Sequence, residues 1–100
     1  MSIDQNDFEK IQEILDYLMV EFPDSSIEHH YDGRRKAETF SLKDRDRQVL
    51  ISFSSEFIKD TLVDEIPAKL KFFHLASSIR QRISSHIIVA NSGLKFKDQE

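Results

Sequence analysis

The chain contains no cysteine, and only two glycines and two prolines in 100 residues. Without thiols there are no disulfides, no thiolate metal ligands and no cysteine nucleophile. With glycine confined to positions 33 and 93, there is no glycine-rich loop of the kind whose backbone amides cradle phosphates. Nucleotide chemistry is therefore not expected. No stretch approaches the roughly 20 apolar residues of a membrane-spanning helix. The opening MSIDQNDFEK is acidic where a secretory signal is cationic and then apolar, so the expected compartment is cytoplasmic, with no membrane partner.

Catalytic motifs are equally scarce. No serine lies in G-x-S-x-G or S-x-x-K, and His74 and His86 lack the spacing of a zinc-binding helix. His29 and His30 are adjacent, and successive strand residues point to opposite faces, so the pair cannot hold one metal ion. These absences lead to the expectation of a non-catalytic protein with no metal and no cofactor.

What is present is charge, and it is unevenly spread. Residues 1–32 carry nine acids against Lys10, residues 33–65 are balanced, and residues 66–97 carry six cations and no acid. The formal net charge of −4 conceals this gradient. Either the two ends lie together and neutralise each other, or a basic face composed of Lys69, Lys71, Arg80, Arg82, Lys95 and Lys97 is presented to an anionic partner such as a nucleic acid.

Hydrophobic periodicity sets the expected elements. Phe8, Ile11, Leu15, Leu18 and Phe22 recur at three- and four-residue steps, which lines one face of a helix stopped by Pro23, with Asn6 and Glu9 as a capping box. From Ser25 the period becomes two, and three strands follow, with turns at Asp32-Gly33 and at KDRDR. Gly33 is expected to supply the positive φ of a tight hairpin. Arg34, Arg35 and Lys36 then sit at a hairpin tip as solvated turn charge. Ser54 or Ser55 caps a short turn, and a second helix runs from Asp64 to about Ile83 on a stripe of Ala68, Phe72, Leu75, Ala76, Ile79 and Ile83. His86–Ala90 and Leu94–Lys97 complete a terminal hairpin.

The expected fold is one α+β domain over residues 1–100, an antiparallel sheet of a three-strand meander and a C-terminal hairpin, flanked by two amphipathic helices in the order α-β-β-β-α-β-β. The second helix carries a further apolar stripe, Ile66, Leu70 and Phe73. If the first helix does not cover it, this stripe is a surface for a protein partner or for self-association.

The α-β-β-β-α order, with DEIPAKLKFF opening the second helix, resembles the double-stranded-RNA-binding domain; only Lys69 and Lys71 stand near that family's helix lysines. The complete order is similar to the small acidic chaperones of secretion systems, a resemblance that implies a dimer holding partner polypeptides. The function expected is a non-catalytic small acidic protein-interaction module, of the dimeric adaptor or chaperone-like kind, with nucleic-acid binding through the basic C-terminal segment as the alternative.

Overall fold

The computed structural model describes residues 5–45, 47–81 and 85–97. Helix α1 spans Gln5–Glu21 and buries Ile11, Ile14 and Leu18. The Asn6 side chain of the expected capping box, Arg82 and Ile83 lie outside the described residues. The chain then forms β1 (Ser26–Asp32), β2 (Ala37–Asp44) and β3 (Arg47–Ser54). The expected meander is present, in antiparallel register.

The connection between β1 and β2 corrects one expectation. Gly33 does not take a positive φ; Lys36 does, at 51°. The loop is four residues long, and such hairpin loops are built on a type I turn, with the left-handed residue coming last rather than at the centre. Asp32 Oδ1 accepts the Arg34 and Arg35 amides at 3.0 and 3.4 Å, which holds the turn closed.

The second helix is not one helix. Ser54 accepts the Phe57 amide at 3.0 Å and caps α2 (Ser55–Asp60). A 3₁₀ turn (Val63–Glu65) leads into α3 (Ile66–Phe72), which tolerates Pro67 in its first turn, and α4 (Leu75–Arg80) follows. The break falls at His74, whose φ of 61° is left-handed. A single helical wheel drawn across it therefore fails. The stripe of α3 is Ile66, Leu70 and Phe73, and that of α4 is Leu75, Ala76 and Ile79, while Phe72 is 77% exposed. A left-handed residue ending a helix favours glycine. His74→Gly is expected to raise stability by about 0.5–1 kcal/mol, read as a higher urea midpoint with an unchanged slope.

Strands β4 (His86–Ala90) and β5 (Gly93–Lys97) form the expected hairpin. The sheet, however, is mixed rather than antiparallel. Its spatial order is β1-β2-β3-β4-β5, and β4 runs parallel to β3, with Leu50 opposite His86 and Phe53 opposite Val89. The reason is the length of the connection: residues 55–85 carry the chain through three helices and back to the starting end of β3, which a parallel neighbour requires and a tight turn cannot do.

Opposed residues share a sheet face. Phe40, Leu42, Val49, Ile51, Phe53, Ile87 and Val89 therefore lie on one face, and the buried side chains of all four helices join them in one core. No residue of the other sheet face belongs to that core. Within the helical layer α1 packs on β1, and α2 packs on β3 and β4.

Candidate interaction surfaces

The uncovered face can be read row by row from the register. One row is Glu28, Ser41, Leu50, His86 and Lys97; the next is His30, Thr39, Ser52, Ile88 and Lys95. Each row runs from an acid or histidine on β1, through hydroxylic residues on β2 and then hydroxylic, apolar or histidine side chains on β3 and β4, to a lysine on β5. The central side chains Thr39, Ser41 and Ser52 are buried although no helix covers them. Their polar atoms are taken up by neighbouring strands: Gln48 donates to Ser41 Oγ at 2.7 Å, and Thr39 meets Ser52, which meets His86.

Arg35, expected as solvated turn charge, reaches back across the sheet. Its Nη1 lies 3.2 Å from His86 Nδ1 and 3.4 Å from Nε2, and its Nε is 3.6 Å from an Asp32 oxygen. Ser52 Oγ is 2.9 Å from His86 Nε2 and 3.2 Å from Thr39 Oγ1. A serine this close to an imidazole invites a nucleophilic reading. The guanidinium argues against it: Arg35 Nη1 sits against the ring, nearly equidistant from its two nitrogens, where a catalytic histidine has a carboxylate to orient it and to stabilise the imidazolium that forms.

The surroundings of His86 disfavour its charged form. Burial lowers its pKa from the usual 6.5, and the charges of Arg35 and Lys97 lower it further, with Asp32 opposing them. Because the folded value lies below the unfolded one, the unfolded chain binds the extra proton between the two. The stabilising contribution is complete above about pH 6.5 and is lost as the pH falls through the folded value. Urea midpoints measured from pH 8 to pH 5 should decline, and His86→Gln should make that decline shallower.

The partner stripe expected from the sequence is not on the surface. Ile66 and Leu70 are fully buried, and Phe73 is half buried with its ring 6.4 Å from that of Phe57. α1 packs against α3 and covers them. The expected cations among the described residues are also dispersed. Lys69 and Lys71 are on α3, in the helical layer; Lys95 and Lys97 project from β5 on the opposite, uncovered face. Arg80 is engaged by Glu21 at 2.7 Å and lies 5.1 Å from the centre of the Phe22 ring, so the acidic first helix does neutralise part of the basic segment. Sequence reasoning missed Arg35 as a member of the open face, because only the fold brings it 51 residues along the chain to His86.

His29 has a hydrogen-bond partner, Glu38, at 2.6 Å, with its side chain 26% exposed. Among the described residues no group of three or more histidine, aspartate or glutamate side chains converges to hold a metal ion, and no helix is long and apolar enough to cross a membrane. A cleft of about 220 Å³ opens between Phe22, Asp44, Arg47 and Arg80, below the usual size of a small-molecule site. Arg47 donates to the Ile79 carbonyl at 2.8 Å there. No protein-family model matches this chain, and neither does any curated protein or solved structure.

Proposed function

We propose that this chain is a small non-catalytic protein-interaction module that receives a polypeptide partner on the uncovered face of its sheet. The observation that carries the reading is the one-sided packing: all four helices lie on one face, and the other presents small hydroxylic and apolar side chains between an acidic and a basic edge. A face with both signs of charge suits a polypeptide better than a phosphate backbone, which asks for cations throughout. The Arg35 cation beside His86 disfavours the imidazolium that a serine's general base must become, which supports a structural role for Ser52 over a catalytic one.

Position-resolved photocrosslinking in the producing cell tests this. A photoreactive residue at Leu50 or Lys95 should give adducts of discrete mass that a protease removes, and the same residue at Glu9 or Lys59 in the helical layer should not. Adducts removed by nuclease would favour the nucleic-acid alternative. Equal labelling of both layers would end the assignment to the open face.

A further inference from the structure

We propose that the partner at the β1 edge is a second copy of this chain, joined through β1 by antiparallel pairing about a two-fold axis at His29. The proposal names one partner for the protein-interaction module argued above and rests on that reading. It uses the edge of the sheet and leaves the open face uncovered.

The two sheet edges differ. β5 has five residues and carries Lys95 and Lys97, the type of edge charge that discourages pairing. β1 has seven residues in an uninterrupted register, with no lysine and no proline. Its outer side presents the unpaired amides and carbonyls that a further strand takes up.

The side chains of β1 select one register. Opposed residues in an antiparallel ladder share a face, so the two-fold axis must fall on a residue. Centring on Glu28 places two carboxylates together, and centring on His30 sets Glu28 against Asp32. Centring on His29 sets Glu28 against His30 twice on the open face, and Ile27 against Tyr31 twice on the covered face. Centring on Tyr31 would pair only the last three residues of β1, so among the registers that use most of the strand the His29 arrangement alone pairs acid with histidine and apolar with aromatic, and it covers Tyr31, which is 54% exposed.

Helix α1 supplies the second line of evidence. One flank of it meets the other helices: Lys10 donates to the Ile58 carbonyl, Tyr17 accepts the Ala76 amide and Glu21 pairs with Arg80. At 100° per residue, Phe8 and Met19 lie about 170° around the axis from these, with Leu15 beside them. That flank overhangs the β1 edge, since α1 packs on β1, whereas α2 packs on β3 and β4 and α4 is tied to β3 by Arg47 and the Ile79 carbonyl. Phe8 is 59% and Met19 54% exposed. A two-fold axis perpendicular to the sheet brings this flank of each copy to face the other, directly above the β1 junction.

The test is light scattering coupled to size exclusion on the full chain, with far-UV circular dichroism to verify folding. The expected mass at 100 μM is twice the 11.7 kDa of one chain. His30→Glu sets carboxylates opposite each other and should weaken the dimer at least tenfold, whereas adding Glu28→Lys to it should restore the dimer. Both positions are exposed. Because the chain has no cysteine, His29→Cys offers an independent check: cross-strand spacing suits a disulfide, so mild oxidation should link two copies, and Glu28→Cys should link poorly. A wild-type monomer at 100 μM, or equal linking at both positions, would overturn the proposal. A monomer that retained the Leu50 crosslinks would refute self-association alone, and the loss of those crosslinks from an intact dimer would refute the open-face reading instead.

Discussion

Phe53→Ala is expected to lower stability by about 3–5 kcal/mol, the largest effect of any single truncation considered. Phe53 is fully buried on β3, and its ring lies 5.5 Å from Phe40 and 5.7 Å from Phe57, joining the sheet to α2. Phe57 continues the contact to Phe73, and Phe40 to His29. Removing the middle ring forfeits the transfer energy of the side chain and leaves a cavity walled by stiff strands that cannot collapse to fill it. A domain of this size holds roughly 5–15 kcal/mol in total, so the urea midpoint should fall by a large fraction of its value. Phe72→Ala makes the control. That ring is exposed, and its loss should change stability by no more than about 0.5 kcal/mol. Equal losses at both positions would mean that Phe72 packs in the core as Phe53 does.

The second large effect is expected at Lys10, which is only 2% exposed. Its ammonium donates to the Ile58 carbonyl at 2.6 Å and to that of Lys59 at 3.4 Å. These belong to the last turn of α2, where carbonyls lack helical partners and the helix dipole favours a positive charge. Lys10→Ala removes a charge-assisted hydrogen bond and strands buried acceptors, and should cost about 1.5–3 kcal/mol. Lys10→Met retains most of the packing volume of the stem. Its loss in urea denaturation should therefore be smaller, and the difference between the two variants separates packing from hydrogen bonding. Identical losses would show that the packing of the stem contributes nothing and that the ammonium's hydrogen bonds carry the whole effect.

The sequence was most legible where one element meets one layer. Ile11, Leu18, Val49, Ile51 and Phe53 sit in the core as their periodicity requires, because the repeats of 3.6 and 2.0 follow from backbone geometry alone. The N-cap at Ser54 was legible for the same reason, being a local hydrogen bond. The stripe of Ile66, Leu70 and Phe73 was visible as apolar, but whether it was core or surface depended on where α1 would lie. Phe72 was misplaced because a left-handed His74 leaves no mark in composition.

Functional surfaces were less legible still. The cations of the C-terminal segment are contiguous in charge along the chain, but Lys69 and Lys71 lie in the helical layer while Lys95 and Lys97 project from β5 on the uncovered face. Arg35 looked like the tip of a turn, and it lies instead against His86.

The sequence by itself determined an α+β domain with an amphipathic first helix, a three-strand meander and a terminal hairpin, because each of these depends on contacts within a few residues. Only the tertiary structure decided that β4 returns parallel to β3, that one face of the sheet is left uncovered, and that Arg35 meets His86 and Ser52. Those outcomes depend on how long connections close and on which surfaces compete for the same apolar cover, and no local pattern of residues carries that information.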